Sequence, residues 1–307
     1  MNDLPELPER ELPTGRHRVL KEHLMREIRT EDSVPARRRW LRPSIAVPAV
    51  AVLAAAAVVA GLAVTGPDGG GVKTASPEAV RLLNDIALAA EKSEVPGEIR
   101  DDQFVYIESK GGYIRVGEGM KTKLTPVHRR EVWHSVDGTK WGLLKEIGPG
   151  SDTTKLDPDT PGLDSNTNYR NLQTLPTDPA KMLDWLHRTS GGGKSEDQNT
   201  FVLVGDLVGE SLMPPKVSAA LYRAAAKISG VTVVDDVVDA AGRHGIAIAR
   251  EDDGILEQLI FDKNTKTYLG EREVAVRDLP NGLKKGDLAG TSAIMNRTVV
   301  DRPGQQP

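Results

Sequence analysis

The sequence predicts an α+β fold: a broad antiparallel sheet with helices on one side, preceded by a single membrane-spanning helix. Three observations predict it. Short runs of alternating apolar and polar residues follow one another across turn signals, from QFVYIE at Gln103 to TSAIMNRTVV at Thr291. Stretches with helical spacing fall between them in blocks, the pattern of segregated helices and strands and not of βαβ repeats. An uncharged window, Pro43 to Pro67, stands directly behind Arg37, Arg38, Arg39 and Arg42.

The apolar heart of that window, Ile45 to Val64, has 20 residues, enough at about 1.5 Å per residue to cross a hydrocarbon core of about 30 Å. Nine of the 20 are Ala, which inserts weakly, so the flanks decide. Arg37, Arg38, Arg39 and Arg42 set the topology, because the far flank offers only Asp68 before Lys73. The positive-inside rule then keeps the N-terminus in the cytoplasm and places everything after the window outside. Three other readings compete. Gly61-Leu62-Ala63 suits a cleaved signal peptide, but the preceding segment is too long for one. ARRRWLR resembles a twin-arginine export signal, a match that any arginine-rich flank can generate. A buried soluble helix would need a large core on all sides, since the run has no polar face.

The chain therefore divides into a cytoplasmic tail (1–42), the transmembrane helix (43–67), a linker (68–75), an extracytoplasmic α+β domain (76–303) and a disordered C-terminus (304–307). There is no cysteine, which excludes disulfides, thiolate metal sites and a cysteine nucleophile. The tail carries 10 Lys and Arg against 8 Asp and Glu, leaving 30 against 36 for the rest. The outer part is mildly acidic, with no basic patch that points to nucleic acid.

Within the tail, RHRVLKEHLMREI places Val19, Leu20, Leu24 and Ile28 at helical spacing, a candidate docking face for a cytoplasmic partner. A lone helix of this length is marginal in water unless it finds such a partner. Outside, TGPDGGGVKTAS reads as a spacer. Ser76-Pro77-Glu78 then opens a helix with an N-cap, a first-position Pro and a first-turn acid. QFVYIE and GYIRVG read as strands flanking a Lys-Gly-Gly turn. REVWHSV-DG-TKWGLLKE is the clearest hairpin, with Asp137-Gly138 as a two-residue turn. Pairing Val136 with Thr139 would set His134 across from Trp141, Val132 from Leu143, Trp133 from Gly142 and Glu131 from Leu144.

Residues 148–173 read as a long polar loop. Asp178 and Pro179 start a second helix that Gly191-Gly192-Gly193 ends. A third helix is centred on Phe201, Val204, Val208 and Leu212. A fourth, from Pro214 to Ile228, shows Val217, Leu221, Ala224 and Ile228 on one stripe. VTVVDDVV, RHGIAIAR, GILEQLIFDK, KTYLGEREVAV and TSAIMNRTVV complete the sheet.

LPTDPAKMLDWL, VWHSVDGTKWGLL, GVTVVDDVVDAAGRHGIAIAR and LEQLIFDKNTKTYLGER, behind a basic-flanked anchor and an N-terminal GRHRVLKEHLMREI, resemble a family of uncharacterised actinobacterial single-pass membrane proteins. The resemblance runs over most of the chain. It implies a gene often found beside an extracytoplasmic-function sigma factor, and an outer domain similar to the curved half-barrel of LolA-like carriers and sigma-pathway sensors. It implies no catalytic residues.

Motifs for chemistry are weak. Gly191 to Ser195 ends like a phosphate loop, but the first Gly of GxxxxGKS would fall at Arg188. Asp157, Asp159 and Gly162 occupy calcium-loop positions, yet Pro161 and Asn168 stand where oxygen ligands are needed, so a solvated turn is the better reading. His128 and His134 would share a strand face, with Arg129 and Arg130 beside them to repel a metal. There is no GxSxG or HExxH. No cofactor and no enzyme activity are expected. Tyr106, Trp133, Trp141, Trp185 and Phe201 are the large groups best able to line an apolar hollow, at least three of them as ordinary core. The reading is a non-catalytic binding or sensor module at the cell membrane, with a lipid or apolar ligand and a sigma factor or another signalling protein as partners. The alternative is an anti-sigma factor whose tail restrains a sigma factor; with one helix in 42 residues the tail is short for that. A hydrolase is a distant third.

Overall fold

The computed structural model describes residues 74–307 apart from 96, 116–122, 149, 192 and 193. The membrane window, Arg37, Arg38, Arg39 and Arg42, the tail face of Val19, Leu20, Leu24 and Ile28, and most of the linker lie outside the described residues. Among the described residues no helix is long and apolar enough to cross a membrane.

Helix α1 is Pro77–Glu91, and its start is as the sequence dictates: the Ser76 hydroxyl accepts from the Ala79 amide at 3.1 Å. Ala79, Leu82, Leu83, Ile86 and Ala87 are buried along one stripe. The first half of the sheet follows as β1 (Phe104–Arg115), β2 (Lys123–Leu124), β3 (His128–Ser135), β4 (Gly142–Ile147) and β5 (Asp152–Leu156). The helices α2 (Tyr169–Leu172), α3 (Pro179–Thr189), α4 (Glu196–Glu210) and α5 (Pro215–Ala225) come next. The second half is β6 (Thr232–Val238), β7 (His244–Asp252), β8 (Ile255–Phe261), β9 (Tyr268–Ala275) and β10 (Leu288–Val300).

The strands form one curved, unclosed antiparallel sheet in the order β5-β4-β3-β1-β10-β9-β8-β7-β6, with β2 paired to the end of β1. The long β1–β10 ladder joins the halves, so the first and last strands lie at the centre. Consecutive strands elsewhere are hairpins, as the α+β expectation requires. The main core lies where α1, α3, α4 and α5 meet the second half: Leu83, Ile86, Met182, Leu186, Phe201, Leu207 and Leu221 against Ile248, Leu259 and Phe261. Each such side chain stabilises by about 1.5–3 kcal/mol when buried. The predicted α5 stripe of Val217, Leu221, Ala224 and Ile228 is buried throughout. Helix α4 is buried nearly all round, as expected of a helix with neighbours on most sides. Gly205 lets it approach the sheet, since a Cβ there would come within 2.9 Å of Leu259 Cδ2.

Four expectations need correction. The Lys110-Gly111-Gly112 segment is not a turn: β1 runs through it. Its glycines serve close packing, for a Cβ on Gly112 would stand 2.6 Å from the Thr125 carbonyl oxygen. The hairpin at Asp137-Gly138 exists, but its register differs by one residue: Trp133 pairs with Leu143, Val132 with Leu144 and Glu131 with Lys145. The connection is wider than two residues because the Asp137 carboxylate accepts from Ser135 Oγ, Thr139 N and Thr139 Oγ1, closing a side-chain-built loop. The observed register matches apolar with apolar and acid with base, which a one-residue slip would undo. The loop expected over 148–173 contains β5 and α2. The C-terminal residues 304–307, expected to be disordered, lie on the sheet: Trp133 Nε1–H donates to the Gln305 carbonyl and Gln306 Nε2 to Glu131.

Candidate functional site

The five aromatics do not line one hollow. Strand alternation sends Tyr106 and Trp133 to the sheet face away from the helices, where they pack at 5.2 Å with Phe104, Val300 and Leu143. Val105 and Ile107, one residue off, face Tyr169 of α2 on the other side. Trp185 and Phe201 come from helices and belong to the main core. Trp141 is 55% exposed on the wide hairpin loop. Burial, and then the Glu131 carboxylate 2.9 Å away, push the Tyr106 hydroxyl pKa up to about 12.

The helix layer instead carries a groove of about 310 Å³ between three helices. Val80 and Asn84 of α1, Pro179 and Ala180 of α3 with its cap Asp178, Arg223 of α5, and Ala226 and Lys227 after it line the groove. Each wall follows from local sequence. The Asp178 carboxylate caps α3 by accepting from the Ala180 and Lys181 amides at 3.0 Å each, which turns Pro179 and Ala180 outward to the groove. The bond from the Lys181 amide is the main reason the Asp178 pKa lies below the ordinary carboxylate value. Arg223 is held by Glu91 at 2.9 Å. The groove can accept an apolar group, with Lys227, Asp178 and the Glu91-paired Arg223 as its charged lining.

A second feature is a buried polar chain at α4 that the sequence reading missed. Arg250 Nη1 donates to Gln198 Oε1 at 2.7 Å, and Gln198 Nε2 donates to Glu257 Oε2 at 2.8 Å. Arg250 Nε donates to the Ser229 carbonyl at 2.9 Å. Ser195 caps α4 by accepting from the Gln198 amide and donates its hydroxyl proton to Asp252. Ser195-Glu196-Asp197-Gln198 has capping-box spacing, the one signal that could have flagged it, although Gln198 reaches the sheet and not back to the cap. At the other end of α4, Arg297 donates to the carbonyls of Val208 and Gly209 at 2.6 and 3.3 Å, placing a cation at the negative pole of the helix. These contacts lock the helix to the sheet; none presents a reactive group to a pocket. Ser195, the last residue of the phosphate-loop look-alike, is thus a helix cap.

Asp159 and Asn168, from the calcium-loop look-alike, bond each other at 2.9 Å and tie the loop to the hairpin through Asp159 N and the Gly138 carbonyl at 2.8 Å. The cavity there, lined also by His134 and Asp157, has about 10 Å³, room for one water. His128 Nδ1 lies 3.0 Å from the Pro126 carbonyl. Among the described residues no three His, Asp or Glu side chains are grouped to hold a metal.

No family model matches the sequence. No curated protein matches it either. Among solved structures, a crystal structure of MucB in complex with MucA(peri) matches at 14% identity and a TM-score of 0.28, over 74% of this chain and 57% of that one. The chain thus spans little more than half the length of that protein. What the fold defines is an α+β class: an unclosed, curved antiparallel sheet carrying a helix layer on one face.

Proposed function

We propose that this chain is a membrane-anchored extracytoplasmic binding and sensor module, non-catalytic, that acts in cell-envelope signalling linked to a sigma factor. The observation that carries the binding role is the groove between α1, α3 and α5, lined by the apolar Val80, Pro179, Ala180 and Ala226 and by Asn84, Asp178, Arg223 and Lys227. Such a site suits an acyl chain, which leaves water against the walls, with Lys227 and the Glu91-paired Arg223 beside Asp178 able to bond a polar head. Anchoring is supported by the uncharged window behind Arg37, Arg38, Arg39 and Arg42. The link to a sigma factor rests on the sequence resemblance described above.

The test is saturable binding of a fluorescent fatty-acyl probe to residues 74–307, with Ala180→Trp and Ala226→Trp as plugs of the groove. Both variants are expected to weaken binding at least about tenfold; Ala180 is exposed, so its variant should change stability little, whereas Ala226 packs partly against the main core and its variant serves only where melting shows the fold retained. Probe fluorescence that rises linearly in all three proteins would reject the apolar-ligand reading.

A further inference from the structure

On the sheet face opposite the groove, the chain folds back over itself after β10. Asp301 fixes the turn, accepting from Arg100 Nη2 and Gln103 Nε2 at 2.9 Å each. Residues 302–307, Arg-Pro-Gly-Gln-Gln-Pro, then cross β3 and β4. Gly304 lies against Leu143, where an added Cβ would be 3.7 Å from Leu143 Cδ2. The backbone hydrogen bond of the segment, Gln305 N to the Arg302 carbonyl, is internal. Its two holds on the sheet are made by side chains: Trp133 Nε1–H donates to the Gln305 carbonyl at 2.6 Å, and Gln306 Nε2 donates to Glu131 Oε1 at 2.6 Å.

The receiving surface is pre-arranged. Glu131 is 1% exposed and its carboxylate is fixed from below by the Tyr106 hydroxyl at 2.9 Å and Arg129 Nη2 at 2.6 Å. The Trp133 indole is clamped between Tyr106 and the Lys145 ammonium, 5.2 Å from its ring centre. One fixed N–H and one fixed carboxylate are thus set to take a backbone carbonyl and, one residue later, a side-chain carboxamide. The occupant is mostly exposed: Arg302, Pro303, Gly304, Gln306 and Pro307 all face solvent. The segment opens with a β-turn, closed by the bond from Gln305 N to the Arg302 carbonyl with Pro303 and Gly304 (φ +84°) at its corners, and since Pro303 and Pro307 have no N–H it adds no strand to the sheet.

We propose that this face of β1, β3 and β4 is a peptide-docking site that the chain's own residues 302–307 fill, and that a segment of a partner protein, with a Pro-Gly turn like that of Pro303-Gly304 and glutamine in the place of Gln306, can take over. The ligand class follows from the contacts: a peptide carbonyl for the Trp133 N–H and a primary carboxamide for Glu131, with small or imino residues before them to clear Leu143. The tether gives the resident segment an effective concentration on the order of millimolar, so it blocks weak peptides and yields to a partner that adds contacts to these two hydrogen bonds. This site is independent of the groove and of any apolar ligand.

The experiment is fluorescence anisotropy with a labelled hexapeptide of the sequence of residues 302–307, against the full chain and against the chain shortened to end at Asp301. The shortened chain is expected to bind it saturably and at least about tenfold more tightly than the full chain. Glutamate in the peptide position of Gln306, or Trp133→Phe in the shortened chain, is expected to weaken binding at least about fivefold, since each removes one of the two anchoring hydrogen bonds. A folded shortened chain that shows no saturable binding up to about 1 mM peptide, or binding equal to that of the full chain, overturns the proposal. Should the shortened chain fail to fold, the full-length variant Gln306→Glu, which sets a carboxylate against Glu131 and lifts the segment, must bind the peptide; no binding there overturns it equally.

Discussion

The carboxamide of Gln198 bridges the buried Arg250 guanidinium and the Glu257 carboxylate, accepting from one at 2.7 Å and donating to the other at 2.8 Å. Gln198 is 1% exposed and Glu257 3%. One neutral side chain therefore gives hydrogen bonds to two charges that have lost their water. Gln198→Leu keeps the volume and removes both bonds, which should cost about 2–4 kcal/mol. Urea unfolding of residues 74–307 measures this, and a loss below about 0.5 kcal/mol would show that the bridge is not structural.

Acid should weaken the hairpin at Asp137 in a defined window. Partial burial alone would raise the Asp137 pKa, but hydrogen bonds from Ser135 and Thr139, with Lys140 nearby, win and bring it down from 3.8 to about 2. A depressed carboxylate stabilises the fold above the unfolded value, and that contribution is lost as the pH falls from about 4 to about 2. The amount at neutral pH is about 2 kcal/mol, and the side chain is only 22% exposed, so screening trims it modestly. Asp137→Asn should be less stable than the parent at pH 7 by about this amount, and the difference should shrink to about 0.4 kcal/mol at pH 2 and vanish below it. A constant difference across that range would contradict the assignment.

Gly138 has φ +75°, and a Cβ there would stand 2.7 Å from Asn168 Nδ2 and 2.9 Å from Asp159 Oδ2. Gly138→Val combines a left-handed backbone with a collision against the loop that β5 leads into. The melting temperature should fall by an amount equivalent to at least about 1–3 kcal/mol. Unchanged melting would mean the hairpin closes differently.

Gly112 tests the continuous β1 strand by a separate route, because its constraint is space and not a positive φ. With the Thr125 carbonyl oxygen 2.6 Å from an added Cβ, Gly112→Ala should cost about 1–3 kcal/mol and loosen β2 from β1. Faster amide exchange at Thr125, whose N–H donates to the Tyr113 carbonyl at 3.0 Å, is the local readout. Were the segment an open turn, alanine would be tolerated.

What could be read in advance follows from the range of the forces. Helix starts were legible because their chemistry is local: Ser76-Pro77-Glu78 and Asp178-Pro179 carry their caps within three residues. The strands of the second half were legible because one face of each is apolar. The Lys110-Gly111-Gly112 segment misled because a glycine needed for close approach looks the same in sequence as one needed for a turn. DTTKL at β5 has no apolar run because it is an edge strand with little core to face. Arg-Pro-Gly-Gln-Gln-Pro has the composition of a disordered tail, and only the distant Glu131 and Trp133 give it a place. The aromatics were chosen by size, and size does not tell which face of the sheet each one takes. Gln198 and Glu257, 59 residues apart, meet only once α4 lies on β8.

The proposed anchor is the segment behind Arg37, Arg38, Arg39 and Arg42, and thiol labelling of intact cells reads out its topology. The chain has no cysteine, so single substitutions report without background. Ser76 caps α1, which makes the exposed Thr74 the better outer probe; Ser33 serves inside. Treating intact cells with a membrane-impermeant thiol reagent should label Thr74→Cys and leave Ser33→Cys unlabelled until the cells are lysed. Labelling of Ser33→Cys in place of Thr74→Cys, or of neither before lysis and both after it, would contradict the account.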